Sequence, residues 1–266
     1  MKEKQTAKVL SQQELAPNIY DMWIETSLAA LAKPGQFISI YPKNQSTLLP
    51  RPISICEIRE DKALRVVYRV AGQGTKEFST YQAGDAIDIL GTLGNGFLYE
   101  KATGKKVFLM GGGIGVPPIL ELAKTLNGSS RTVEASAQND IQIIVGYRDA
   151  DTFLKEDFEK YGKVYIATED GSVGTKGNVM DAIAANALEA DVIYACGPMP
   201  MLRAIKKYAE EKQIPAYISL EERMACGVGA CLGCVVKTKE VDHHSHVNNA
   251  RICTDGPVFE AKEVEI

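Results

Sequence analysis

The sequence predicts a chain of three parts: an antiparallel Greek-key β-barrel, a doubly wound parallel-sheet α/β domain, and a small C-terminal domain organised by cysteines. Three observations carry that expectation. Short apolar segments punctuated by Pro and Gly fill the N-terminal third. Strand and helix patterns alternate after Thr103 and Gly104. Four cysteines, Cys226, Cys231, Cys234 and Cys253, then follow in the spacing C-x4-C-x2-C…C.

The barrel is assigned to residues 1–102. Apolar segments recur at 36–41, 53–58, 64–70 and 86–90, separated by Pro34-Gly35, Pro50, Gly72, Gly84 and Gly94. Regularly spaced short strands with turn residues between them suit an antiparallel barrel. Within it, Arg51 stands between Pro50 and Pro52, followed by Ile53 and Ser54. A guanidinium offers a planar fork to a pyrophosphate, and flanking prolines fix the backbone that carries it. Gly72-Gln73-Gly74-Thr75 allows close approach to an anion. The plainer alternative is a solvated arginine and an ordinary glycine turn.

The α/β domain is assigned to residues 103–220. Segments 106–110, 141–147, 163–168, 191–196 and 216–220 read as strands, with a helix running through Leu126 and another over Met199–Lys212. Gly111, Gly112, Gly113, Ile114 and Gly115 follow the first of these strands and open a helix, the context in which N–H groups meet a pyrophosphate. The loop is not a regular G-x-G-x-x-G, because Val116 or Pro118 falls where the last glycine belongs. A tight strand-to-helix turn is the competing reading. Cys196, Gly197 and Pro198 end a later strand, and Glu169-Asp170-Gly171 ends another, either as ligand contacts or as a solvated turn. Arg148 suits a 2′-phosphate, whereas Asp149 and Asp151 repel one, a balance that leans to NAD over NADP only with the support of a family resemblance.

The tail, residues 221–266, is too short for a large core and is expected to depend on a bound centre and on docking to the body. Ala225, Gly227, Gly229, Ala230 and Gly233 let the cysteine loop curl around a small cluster. Three clustered cysteines and a distant fourth suit a [2Fe-2S] centre better than the paired arms of a zinc site. His243, His244 and His246 lie in a polar run between the third and fourth cysteines and read as a solvated hairpin loop. Trp23 reads as a partly buried barrel residue.

Bulk properties narrow the classes. The 266 residues are 45% hydrophobic and 24% charged, which is a globular composition for about two domains or more. A net charge of −4 without a basic run argues against nucleic acid. The first residues show no secretory signal, and no apolar stretch is long enough to span a membrane. Cys56 and Cys196 read as free thiols in a reducing cytoplasm.

The ordered set resembles the ferredoxin–NAD(P)+ reductase superfamily over essentially the whole chain. The resemblance rests on residues 51–54, on 111–115 and on 196–198. The tail from Ser219 through Cys234, with 252–259, is similar to the electron-transfer subunits of B-type dihydroorotate dehydrogenases. That resemblance implies FAD bound by Arg51, Pro52, Ile53, Ser54, Tyr68, Arg69, Val70, Gly74 and Thr75. It implies NAD at Gly111, Gly112, Gly113, Ile114, Gly115, Cys196, Gly197 and Pro198, and a [2Fe-2S] cluster on the four cysteines. It further implies a cytoplasmic heterotetramer of two such chains and two FMN-containing catalytic subunits. In it, electrons from dihydroorotate reach NAD+ during pyrimidine biosynthesis, and no side chain of this chain acts as a nucleophile. Two other readings compete: a reductase subunit of similar build serving ferredoxin, hydrogenase or sulfur-reducing complexes, and a zinc-stabilised, non-enzymatic binding module.

Overall fold

The computed structural model describes residues 3–44, 46–59, 62–128, 139–241 and 246–266. Six strands close the N-terminal barrel. They are β1 (Glu3–Ala16), β2 (Ile19–Glu25), β3 (Phe37–Tyr41), β4 (Arg51–Arg59), β5 (Ala63–Arg69) and, after helix α1 (Gln73–Phe78), β6 (Ala86–Leu93). Their spatial order is β1-β2-β5-β4-β3-β6 with antiparallel neighbours, so the barrel closes through the long-range pairs β2–β5 and β1–β6. The last four strands overlie the apolar segments of the sequence. The first two do not announce themselves that way. In β1 only Ala7 and Val9 point fully into the core, while Lys, Gln and Glu occupy the outer positions. Such an alternation carries little hydrophobic signal. The barrel core is Val9, Met22, Ile38, Ile40, Leu64, Val66 and their neighbours.

The second unit contains β7 (Lys106–Gly112), α2 (Leu120–Leu126), β8 (Asp140–Tyr147), α3 (Lys155–Phe158) and β9 (Lys163–Thr168). It continues through β10 (Thr175–Lys176), α4 (Val179–Ala185), β11 (Val192–Cys196), α5 (Met199–Lys212) and β12 (Ala216–Ser219). The sheet order is β10-β9-β8-β7-β11-β12, parallel throughout, as strands alternating with helices require. Both faces are buried. Val107, Leu109 and Val192 pack on one side, and Phe108, Met110 and Ile193 on the other, the period-two signature of a doubly covered sheet. The helix after the glycine loop begins later than its sequence suggests. Two short 3-10 turns, Gly113–Gly115 and Pro117–Ile119, precede α2, because consecutive prolines withhold the N–H groups that a regular first turn would use.

The tail adds β13 (Val235–Lys237), β14 (Asn249–Arg251) and β15 (Val258–Glu260). β13 and β14 form an antiparallel hairpin, and β15 joins the sheet edge antiparallel to β12 through Tyr217↔Glu260, Ile218↔Phe259 and Ser219↔Val258. A seventh, antiparallel strand therefore extends a sheet that the sequence presented as purely parallel. Phe259, Ala261 and Val264 are buried in the same core as β11 and β12. His243 and His244 lie outside the described residues; His246 is exposed.

Candidate cofactor cleft and cysteine centre

The strand order reverses between β7 and β11, where an open α/β sheet leaves a crevice at its carboxyl ends. Gly111, Cys196 and Ser219 stand in one register row across β7, β11 and β12 at that end. The glycine loop folds onto the residues that follow β11. A Cβ on Gly115 would lie 2.5 Å from the Cys196 carbonyl oxygen and 2.6 Å from the Gly197 Cα, so only glycine permits this contact. On Gly112 it would meet Met201 Sδ at 2.4 Å and Pro198 Cδ at 3.0 Å. The two predicted halves of a nucleotide site, 111–115 and 196–198, are thus one packed unit. Gly113 faces the barrel, its nearest neighbour there being Arg69 Nη2, 3.5 Å from a Cβ placed on it.

Arg69 ends β5 and is exposed, as a group reaching into a cleft must be. Glu221, two residues beyond β12, shares that cleft. It keeps exposed surface, yet it sits within a concavity whose burial raises its carboxyl above the usual carboxylate range, against the opposing Arg69 charge. Glu221 escaped the sequence reading. Its position just past the carboxyl end of a parallel strand was the available signal. Cys196 is buried, and burial raises its thiol strongly, with the neighbouring Glu221 charge adding to the effect. It fills space beside Ser219 and offers no reactive thiolate.

On the barrel side, residues 51–54 of β4 are only half-buried, unlike Ile55 and Cys56 that follow. Arg51 Nη1 donates to the Leu49 carbonyl at 2.7 Å, and its side chain runs over Gly74, where a Cβ would come within 2.8 Å of Nε. Arg51 and Gly74, distant in sequence, therefore share one surface. Two predicted residues have other duties. Tyr68 is 1% exposed; its hydroxyl donates to Gln12 Oε1 at 2.9 Å and its ring packs on Tyr20 and Phe78, so its side chain belongs to the barrel core. Thr75 Oγ1 accepts the Ala71 N–H at 2.9 Å and donates to the Gly72 carbonyl at 3.1 Å, building the turn into α1. Asp170, exposed, accepts the Ser172 N–H at 2.9 Å within its own turn.

The eighteen residues between Cys234 and Cys253 are accounted for by the β13–β14 hairpin. Cys234 precedes Val235, which pairs with Arg251, and the Ile252 N–H donates to the Cys234 carbonyl at 2.8 Å. The hairpin base thereby sets Cys253 beside Cys234. Arg251 and Asp255 close the following turn at 3.2 Å. In the loop, Gly227 and Gly229 adopt φ +67° and +85°, and Gly229 packs against Thr254. The N–H groups of Val228 and Cys231 both point at Cys226 Sγ, each at 3.4 Å. Burial opposes ionisation of Cys226, but these donors outweigh it and bring the thiol down to about 6. Burial, then the adjacent Cys234, pushes Cys253 up to about 11.

Cys231 adjoins Cys226, Cys234 adjoins Cys253, and Cys226 is also near enough to raise the Cys253 thiol. Among the described residues no three His, Cys, Asp or Glu side chains converge on one metal position. Four thiols brought together by one loop and one hairpin base suit a two-iron centre with two thiolates per iron.

Comparison with known proteins agrees with this geometry. Residues 221–265 match the iron-sulfur cluster binding domain of dihydroorotate dehydrogenase B, and residues 109–207 match the oxidoreductase NAD-binding domain. The chain is 43% identical over 269 aligned residues to the dihydroorotate dehydrogenase B (NAD(+)) electron transfer subunit of Bacillus cereus strain G9842, covering 99% of each chain. It is 42% identical to that of Bacillus anthracis strain CDC 684, again covering 99% of each. Among solved structures, the NADH-dependent reduced ferredoxin-NADP oxidoreductase superposes with a TM-score of 0.83 at 28% identity, covering 97% of this chain and 89% of that one. The ferredoxin reductase of carbazole 1,9a-dioxygenase, at 21% identity and a TM-score of 0.68 over 82% of this chain and 69% of that one, shares the fold.

Proposed function

The chain belongs to the family of electron-transfer subunits of the NAD(+)-dependent dihydroorotate dehydrogenase B, and from that premise we propose which of its residues serve each part of the work. It is an FAD- and iron–sulfur-dependent oxidoreductase subunit that uses NAD and serves pyrimidine biosynthesis. The cluster supplies one-electron exchange, and the flavin couples this to hydride exchange with the nicotinamide.

The chain's own residues bind and orient. Arg51 presents its guanidinium to the flavin pyrophosphate, and Pro52, Ile53 and Ser54 line the half-buried start of β4. Arg69 reaches the cleft from the end of β5, Val70 follows it as the next residue assigned to the flavin, and Gly74 leaves room beside Arg51. Tyr68 and Thr75 shape this surface through the core and the turn. Gly111, Gly112, Gly113, Ile114 and Gly115 give the second pyrophosphate its backbone cradle, with Cys196, Gly197 and Pro198 as the floor. Cys226, Cys231, Cys234 and Cys253 hold a [2Fe-2S] cluster. The working units are residues 1–102, 103–220 and 221–266. The single observation that carries this assignment is the meeting of the glycine loop, the Cys196 turn and Arg69 at one crevice, with the cysteine tail leaving directly from β12.

The family name supplies a catalytic partner. We assign that role to an FMN-containing subunit, in an assembly of two catalytic and two electron-transfer chains in the cytoplasm. Among the described residues no helix is long and apolar enough to cross a membrane. The purified chain, loaded with flavin and iron, should reduce artificial acceptors with NADH faster than with NADPH and should leave dihydroorotate untouched. Dihydroorotate oxidation by the chain alone, or a preference for NADPH, overturns the assignment. Co-purification with an FMN-bearing subunit supports it; a multi-cluster partner instead selects the ferredoxin-linked reading.

A further inference from the structure

A buried group of charges joins the barrel to the nucleotide-binding domain at a place remote from the cysteines. β4 outlives its neighbour: β3 pairs with it only from Ile40↔Arg51 to Phe37↔Ser54, and the Ile55 N–H takes the last bond on that side, to the Gln36 carbonyl at 2.9 Å. Three residues on, the strand edge at Ile58 has no strand beside it, while its other edge pairs with β5 at Leu64. Two side chains of α2, one helical turn apart, take the place of the missing strand. Glu121 Oε2 accepts the Ile58 N–H at 2.8 Å, and Lys124 Nζ donates to the Ile58 carbonyl at 2.7 Å. A helix of the second domain thus satisfies both backbone groups of one residue of the first.

The grip is reinforced on the barrel side. Lys124 pairs with Glu57 at 3.2 Å, and Glu57 pairs with Arg65 at 3.2 Å. Arg65 forks onto Asp21 with two 2.9 Å bonds and reaches across to Asp157 of α3 at 3.0 Å. Glu121 and Asp21 are each 2% exposed. Among the described residues, the carboxylates of Asp21, Glu57, Glu121 and Asp157 face the cations Arg65 and Lys124, with Lys160 at the rim. A buried group of charges of this kind is a poor source of net stability, since desolvation cancels much of the attraction. Its value lies in geometry.

We propose that Glu121 and Lys124, backed by Glu57, Arg65 and Asp157, are positioning residues that fix the glycine-loop helix against the flavin strand. The two ends that matter lie close by. Ser54 is four residues up β4 from Ile58, about 13 Å at strand rise. Gly115 is six residues before Glu121, through the turn Pro117–Ile119 that packs on β4 with α2. Any tilt of α2 on β4 therefore displaces the loop at 111–115 relative to residues 51–54. Hydride exchange falls steeply with misplacement, by as much as ~100-fold per ångström. The inference rests on the flavin and nicotinamide reading above and goes beyond it.

The test uses the full chain carrying flavin and cluster, in three forms: unaltered, Lys124→Met and Lys124→Arg. Two quantities are read. Amide hydrogen exchange is followed at Ile58 and across 111–126, and anaerobic stopped flow gives the saturating rate of flavin bleaching by NADH and its apparent Kd. In Lys124→Met, exchange should accelerate at Ile58 and at the glycine loop together. The saturating rate should fall about tenfold while Kd stays within about threefold, and Lys124→Arg should restore both. Faster exchange confined to Ile58, or a saturating rate within about twofold of the unaltered chain, overturns the proposal. Should NADH fail to bleach the unaltered chain, the functional reading falls, and the coupled exchange still judges the clasp. If Lys124→Met does not fold, Asp157→Asn at the half-exposed rim carries the same comparison.

Discussion

Cys226 receives two N–H groups from its own loop, so the backbone there is shaped for a thiolate. Cys253 is different. It is buried, raised in pKa and brought to its place by the hairpin base. Replacing it should therefore remove the cluster while leaving the surface formed by β4, β5 and Gly74 in place. Cys253→Ser should lose iron and the cluster's visible absorption while retaining FAD; a full iron complement measured in that variant contradicts the assigned ligand set. At this scale the sequence was most legible where chemistry fixes spacing, as in the four cysteines and the 111–115 loop. It was least legible where a side chain's direction matters. Tyr68 sits in a motif that suggested cofactor contact, but alternation along β5 turns its ring inward, and the Thr75 hydroxyl is consumed by its own turn. Glu221 lies inside the tail segment that carries the resemblance, yet nothing in that segment marked it as a cleft residue; the end of β12 places it within reach of the Arg69 charge.

β15 shows how a short terminal segment acquires stability. It pairs with β12 and buries Phe259, and the residues after it bury Val264, whose carbonyl accepts a hydrogen bond from Lys206 of α5. Loosening that attachment should weaken the tail first. Val264→Ala should cost about 2 kcal/mol and lower the melting midpoint by about 5 °C, with cluster absorbance fading before flavin is released. Simultaneous loss of both signals in a melting experiment argues against a tail that yields first. Elements with strong apolar runs, β3 to β9, β11, β12 and α5, could be read from the chain. β1 could not, because its outer face is charged and only two of its residues are fully buried apolar ones. The antiparallel β15 could not either, since no local pattern tells a three-residue strand which edge it will join.

For the whole molecule, barrel and α/β domain are not independent bodies. Ile19, Cys56, Val67 and Phe97 of the barrel region share one core with Val107, Leu109 and Val192. Tyr194 of β11 donates to the Leu98 carbonyl at 2.9 Å, and the Ile58 clasp joins the two units at another point. Urea titration should therefore show flavin fluorescence and far-ultraviolet dichroism changing in one transition with coincident midpoints; two separated transitions would show the domains to be uncoupled. The order of the three units was legible because composition changes abruptly near Thr103 and again after Leu220. Their mutual docking was not, because it depends on buried charges whose sequence signature is that of an ordinary solvated surface. The antiparallel sheet edge has one more consequence, for maturation. Its partner strand must already exist when β15 emerges, and Cys253 is held beside Cys234 only once the hairpin has closed. A chain that stops short of Cys253 offers an incoming metal three of the four thiols assigned to it, and lacks the strand that ties the tail to the sheet.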